Sequence, residues 1–324
     1  MTHDAPSSEA PTSDAALVHD RPLLEIVAHV KRLLAAGASM VRLEVLDPDH
    51  GRGRHAGEPV TIAGVAHIHR PLRVWVDLAE RLGMRLLTPR AATPPRIELR
   101  LERLDPGADW HTAAAPDPRE KYGVRSSFAR ISKLEDPDFV LDFADAIERV
   151  GLDPAARVLE LGVNRGDALT LLAAQVPGLT SRGELVGVDH CHSALALARA
   201  RFPGANARFI AADLADLADL DLGRFDLILA IDTLQSSGVD DRALLRHLVQ
   251  QRLAPRGAVL LGVPNCRYLD GEVVHGARMK NFRQPELGAV IKDVAFYRKY
   301  LQQHARTVHV TGKHELLITA LPIA

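Results

Sequence analysis

The stretch that most constrains this chain is RVLELGVNRGD at residues 157–167, where an apolar strand signal runs into a glycine turn and then into a helix signal. The same alternation continues on either side. Asp136 and Pro137 read as the N-cap and first turn of a helix whose apolar face is Phe139, Val140, Phe143, Ile147 and Val150, with Gly151 as its stop. Strand signals then follow at 158–161, 185–188, 208–210, 227–231 and 259–263, with helical segments at 169–176, 194–202 and 242–253. Short strands that are almost wholly apolar must be covered on both faces, so this order predicts a parallel sheet between helix layers. A further helix over 285–303 and two strands over 307–310 and 316–320, joined by Thr311, Gly312 and Lys313, predict an antiparallel finish.

The N-terminal third reads differently. Residues 1–20 are rich in Ala, Ser, Pro and Thr without a basic start and apolar run, and are expected to be a disordered tail, not a signal peptide. Helices are predicted over 22–36 and 69–82 by apolar residues at helical spacing, and strands over 40–46 and 96–104 by strict alternation. Residues 21–105 are therefore expected to form a small α+β module, serving for packing or homodimerisation or as a substrate-selecting cap. Residues 106–135 read as a linker and cofactor lid, and 136–324 as the main domain.

Composition excludes several classes. With 47% hydrophobic and 25% charged residues and no long apolar run, the chain is expected to be soluble and to contain no membrane span. Two cysteines, Cys191 and Cys266, are too few for a disulfide framework and fit a reducing, cytoplasmic location. The 15 histidines are scattered, with no His-Glu-x-x-His or Cys-x-x-Cys spacing, so no metal site is expected. A formal net charge of -1 offers polyanions no long-range attraction.

Chemistry gathers at the strand ends. Gly162 and Gly166 mark a turn that lets backbone N–H groups approach a ligand. Asp189, closing LVGVD, is suited to accept from two ribose hydroxyls, and Asp213, in FIAAD, from an adenine amine. Glu160 is placed for a cationic amino group, and His190 for the adenine face. Singly, each acid could cap a helix or sit in solvent. Their order on consecutive strand ends is what such roles do not predict, because ligands of open parallel sheets gather at those ends.

This region resembles the class I S-adenosylmethionine-dependent methyltransferases. ELGVNRG corresponds to the family's acidic-x-Gly-x-Gly-x-Gly motif, Asp189 to its ribose-binding acid, Asp213 to its adenine-contacting acid and FDLILAIDTL to its fourth strand. The resemblance covers about the C-terminal 190 residues. It implies a Rossmann-like, mostly parallel seven-stranded sheet with an antiparallel C-terminal hairpin, S-adenosyl-L-methionine as cofactor, and a cofactor set of Glu160, Gly162, Asn164, Gly166, Asp189, His190, Asp213 and Asp232. Asn164 replaces the middle glycine, which implies a differently shaped turn and an amide against the methionine end of the cofactor. A dinucleotide-dependent dehydrogenase would carry the tighter GxGxxG spacing with its acid closer behind.

The acceptor side is less marked. Asp232 and Thr233 stand where the family lines the passage between cofactor and substrate, and the long loop 264–283 offers Asn265, Tyr268, Glu272, His275, Arg278 and Lys280. Asp232, Tyr268 and His275 are the catalytic candidates. Tyr122, Ser126, Ser127, Phe128 and Arg130 lie where related enzymes close a lid. The Asn-Pro-Pro-Tyr signature of amide and exocyclic-amine methylators is absent, so a small-molecule or natural-product acceptor is expected first. RNA comes second, because Pro264 and Asn265 resemble cap-guanine methyltransferases and Arg267, Arg278, Lys280 and Arg283 could meet phosphates. A cofactor-binding scaffold without catalysis is the third reading.

Overall fold

The structure is a computed structural model that describes residues 15–108, 117–276 and 287–323. Two compact units divide it: one takes the chain up to Ala108 with Leu269–Glu272, the other takes the rest. No helix among the described residues is long and apolar enough to cross a membrane.

The first unit contains β1 (Ala16–Leu17), α1 (Leu23–Ala35), β2 (Met40–Leu46), β3 (Pro59–Ile62), β4 (Val65–Ile68), α2 (Leu72–Arg81), β5 (Met84–Ala91) and β6 (Arg96–Arg103). Its main sheet has the order β1-β2-β6-β5, with β3 and β4 as a separate hairpin. Alternation sets the buried face: Val41, Leu43 and Val45 of β2 join Leu99 and Leu101 of β6, and Ile26 and Val30 of α1 and Trp75 and Ala79 of α2 pack on them. Several expectations are corrected here. The predicted tail does not extend to residue 20, because β1 pairs in parallel with β2 and Val18 is fully buried. The second helix starts at Leu72, not at residue 69, since His69 is still held by Glu58 across the β3–β4 hairpin. Strand β5 escaped the sequence pattern because its register shifts between Leu87 and Arg90, which breaks the alternation.

The second unit begins with turns of 3-10 helix at Pro118–Glu120, Ser127–Arg130 and Lys133–Glu135, a strap leading into α3 (Pro137–Val150). Then come β7 (Arg157–Leu161), α4 (Asp167–Gln175), α5 (Leu179–Arg182), β8 (Glu184–Asp189), α6 (His192–Arg201), β9 (Ala207–Ala211), β10 (Phe225–Ile231) and α7 (Asp241–His247). It closes with β11 (Leu253–Pro264), β12 (Cys266–Leu269), β13 (Glu272–His275), α8 (Leu287–Gln303), β14 (Arg306–Gly312) and β15 (Glu315–Pro322).

The sheet order is β14-β15-β11-β10-β7-β8-β9. The five strands β7 to β11 run parallel, and β15 is antiparallel to both neighbours. This is the Rossmann-like seven-stranded sheet that the sequence predicted. The chain winds outward from β7 to β9 and then returns to β10 on the other side of β7, and at such a reversal a crevice opens at the carboxyl ends. Successive residues serve opposite layers. Leu159, Leu161, Ile228 and Ala230 face a core with Leu245 of α7 and Tyr297 of α8, whereas Val158, Leu227 and Leu229 face Phe143 of α3 and Leu169 of α4.

Differences from the sequence reading lie at element ends. The helix expected over 242–253 stops at His247, continues as a π-helical turn over Leu248–Arg252 and gives way to β11, which is longer than predicted. Arg252 explains the change: its guanidinium donates to the carbonyls of Leu217, Ala218 and Leu220 and to His247 Nε2, so the chain turns into the sheet where that buried cation is satisfied. The stretch 264–276, expected as an open loop, is instead the hairpin β12–β13. Arg278, Lys280 and Arg283 lie outside the described residues.

Replacing Arg252 by Met keeps the stem and removes the donors, leaving carbonyls unpaired. Urea unfolding should show a loss of about 2–3 kcal/mol, and a loss below about 0.5 kcal/mol would contradict this account of the turn.

Candidate functional site

At the carboxyl end of β7 the backbone enters a bend in which Gly162, Asn164 and Gly166 all take positive φ, of 66°, 46° and 82°. Gly162 also has no room for a side chain, since an added Cβ would lie 2.4 Å from Thr233 Oγ1. The Thr233 hydroxyl sits 2.9 Å from the Leu161 carbonyl and 2.8 Å from that of Ile231, tying the ends of β7 and β10 together. Asn164 tolerates the left-handed conformation better than most side chains, so the bend persists without the middle glycine. Its amide donates to the Tyr122 carbonyl and accepts from Arg165 N. The amide thus ties the bend to the strap.

Asp189, buried at the end of β8, organises the bend. One carboxylate oxygen accepts from Asn164 N and the other from Cys191 N, each at 2.8 Å. A carboxylate offers about four lone-pair directions, so acceptor capacity remains on both oxygens. Glu160 lies beneath the bend, only 3% exposed, with Oε2 reached by no donor. Burial pushes its carboxyl well above the usual range, and the charges of Asp167 and Asp189 add to the shift. His190 is half-buried, with its ring edge-on to Tyr122 at 6.2 Å. Asp213 is exposed and accepts from Ala215 N as the cap of the turn at Leu214–Asp219. That is the helix-capping role the sequence left open.

The strap lies over this edge. Arg165 donates to the carbonyls of Ala129 and Ile131 while paired with Asp167, and Glu120 accepts from Ser193 N and Oγ at the start of α6. Ser126 serves the strap itself, donating to Gly123 O and accepting from Ala129 N. Ser127 and Arg130 are exposed, while Phe128 packs edge-on against Tyr122 at 5.2 Å. Burial raises the Tyr122 hydroxyl, and so do Asp189 and Asp232, which places that hydroxyl within electrostatic reach of both acids.

The second cluster was not legible in the sequence. Lys133 Nζ bridges Asp232 Oδ2 and Glu315 Oε2, the latter at 2.6 Å, and lies 4.9 Å from the centre of the Phe139 ring. Burial alone would lower Lys133, but the two carboxyls outweigh it and hold the ammonium above its usual range. Asp232, with φ at 54°, is pulled down by Lys133 against its own burial. Glu315, at the start of β15 and 5% exposed, is driven well above the carboxylate range by burial and then by Asp232. Both carboxyls meet the same ammonium, and with Glu315 raised and Asp232 lowered the proton of the pair belongs to Glu315. Lys133 and Glu315 each stand close to other charged residues, without period or spacing to flag them.

Of the other catalytic candidates, Tyr268 lies half-buried in β12. Burial raises its hydroxyl, and Lys133, Cys266 and Asp232 all influence it. The neighbouring Cys266 thiol is pushed up to about 12 by burial, then by Asp232 and Glu315. His275 ends β13, where its carbonyl accepts from Arg267, and that same guanidinium donates to Gly276 O. Asn265 is buried and donates to Lys313 O, joining β11 to the start of β15. Among the described residues one group, Asp136, Asp138 and His314, brings metal-ligand atoms within 4.8 Å of one another. Asp136 is already the cap of α3, and Asp138 is paired with Lys313.

Comparison with known proteins bears on this unit. Residues 158–257 match the family model described as a methyltransferase domain. The chain is 32% identical over 156 residues to the trans-aconitate 2-methyltransferase of Delftia acidovorans, covering 48% of this chain and 54% of that protein. It is 37% identical over 123 residues to the enzyme of the same name from Variovorax paradoxus, covering 38% and 44%. The chain thus spans about half the length of the curated relatives it matches. Similar solved structures include a putative methyltransferase of Haloferax volcanii in complex with its Trm112 activator, at 16% identity and TM-score 0.45 over 65% of this chain and 100% of that one. Another is an amino pentose methyltransferase of Micromonospora echinaspora with S-adenosylmethionine bound, at 21% identity and TM-score 0.38 over 57% and 90%.

Gly162→Ala should strain both the positive φ and the contact with Thr233, costing about 1–3 kcal/mol in chemical denaturation. Adding Thr233→Ala should recover the steric part only. Full recovery in the double variant would show that backbone conformation at 162 is unimportant.

Proposed function

We propose, from the premise that this chain belongs to the class I S-adenosylmethionine-dependent methyltransferases, that it transfers a methyl group to a small-molecule acceptor seated beside Asp232. The observation that carries the reading is the bend at 162–166 held by Asp189, with the unmatched Glu160 oxygen beneath it. These residues fit the cofactor. Glu160 would take its ammonium, Asp189 its ribose hydroxyls, and Tyr122 and His190 would flank its base. When bound, S-adenosylmethionine supplies a methyl already activated on a sulfonium, so alignment of the nucleophile accounts for much of the acceleration. Asn164 and Arg165 of the bend hold the strap through the carbonyls of Tyr122, Ala129 and Ile131, and Glu120 of the strap holds the start of α6, which keeps Tyr122 beside the bend. The acceptor would approach from the side of Asp232 and Tyr268.

A small acceptor is supported by the formal net charge of -1 and by Arg267, one nitrogen of which is taken up by the carbonyls of His275 and Gly276. The matched relatives are named for a carboxylate anion. Lys133 and Glu315 lie outside the 158–257 match.

Two expected outcomes test the reading. Asp189→Ala should weaken S-adenosylmethionine binding by about 100-fold or more in calorimetry, through lost charge-assisted bonds and a loosened bend; unchanged affinity would refute the pocket. Burial raises the Glu160 carboxyl, and an incoming ammonium favours its ionised form, so binding should release protons and affinity should fall as pH drops. Calorimetry in buffers of different ionisation enthalpy measures that release, which Glu160→Gln should abolish.

A further inference from the structure

The cluster beside Asp232 has a charge balance that selects its ligand. Two carboxyl groups, Asp232 and Glu315, face one ammonium, Lys133, which already meets Asp232 Oδ2 and Glu315 Oε2 and lies over the Phe139 ring. The remaining oxygens, Asp232 Oδ1 and Glu315 Oε1, are buried and accept from no protein donor. Glu315 Oε1 lies against the bare Cα of Gly262 in β11, where a Cβ would come within 2.5 Å of it. Both carboxyls therefore keep acceptor capacity that only a shared proton or a ligand's donor can fill. Asp232 directly follows β10, which pairs with β7, the strand that leads into the bend, and this sets the capacity at the same strand-end crevice as the proposed cofactor.

We propose that the methyl acceptor is an amine, bound as its ammonium by Asp232 and Glu315 and deprotonated by that pair before transfer. The inference rests on the methyltransferase reading above and specifies its substrate class. At rest the pair holds one proton, and with Lys133 the cluster is neutral. An entering ammonium brings a positive charge that displaces that proton to solvent, leaving two carboxylates opposite two cations. One N–H proton of the ligand then moves onto the carboxyl pair, restoring its resting state and freeing the nitrogen lone pair. The nitrogen forms its bond to the methyl carbon as the carbon–sulfur bond breaks, and the sulfur keeps the electron pair. No further reactant is needed. A neutral alcohol would bring no charge to displace the resting proton, and would face a carboxylate weakened as a base by Lys133. A carboxylate acceptor would add a second negative charge beside Asp232, where the one lysine is already committed, and like charges at such range repel.

The test uses the full chain saturated with S-adenosylhomocysteine and the matched probes benzylamine, benzyl alcohol and benzoate, followed by ligand-observed NMR. Benzylamine should bind at least about tenfold tighter than either other probe. Glu315→Gln should remove that preference and Lys133→Met should increase it, so two variants must move in opposite directions while S-adenosylhomocysteine affinity stays within about threefold. Benzoate binding as well as benzylamine, a preference that survives in Glu315→Gln, or no binding of any probe would overturn the proposal. Product chemistry separates this from the broader reading. After incubation with methyl-labelled S-adenosylmethionine and a metabolite extract, amine products keep their label in mild base, whereas methyl esters release it as volatile methanol. Base-labile label would overturn the amine and leave the methyltransferase standing; cofactor binding without any transfer would overturn both.

Discussion

One carboxylate joins the parts of the catalytic unit. Asp189 ends β8 inside the sheet and accepts from the backbone of Asn164 in the bend after β7 and of Cys191 at the start of α6. Those N–H groups belong to two different strand-to-helix turns, and without an anion between them each would face the crevice unpaired. Charge-assisted bonds to backbone donors are among the stronger ones a protein makes. The acid that a ligand would meet is thus also the acid that shapes the surface around it.

From this point outward the unit is tied by polar groups crossing between distant segments. Asn164 reaches the Tyr122 carbonyl, Arg165 the carbonyls of Ala129 and Ile131, Glu120 the first turn of α6, and Lys133 both Asp232 and Glu315. Each fixes a strap of short 3-10 turns whose own hydrogen bonds are few. Such a segment has little local stability and takes its conformation from these contacts. The sheet supplies a rigid edge, and the strap supplies side chains that the edge lacks.

Strain is placed in the same region. Asn164 and Asp232 are non-glycine residues with positive φ, and they lie at the ends of neighbouring strands β7 and β10. A left-handed residue redirects the chain abruptly, so each side chain or amide leaves the strand at an angle that ordinary strand geometry would forbid. At Asp232 this turn presents the carboxylate to Lys133.

Much of this was readable from the chain alone. Apolar runs separated by helical periods determined the parallel sheet and its antiparallel finish, and the spacing of Glu160, Gly162, Gly166 and Asp189 determined their place at the strand ends, because these are local or near-local patterns. Helix and strand ends went astray where one buried cation, Arg252, or one register shift, at Leu87 to Arg90, decided them. The Lys133–Asp232–Glu315 cluster belongs to tertiary structure altogether. Its members come from a strap, the end of β10 and the start of β15, and their protonation depends on burial and mutual charge that no sequence pattern encodes. Periodicity reports which face of an element meets the core; only folding decides which charges meet each other, since that depends on contacts between segments far apart in the chain, as between Lys133 and Glu315, and not on neighbours in sequence.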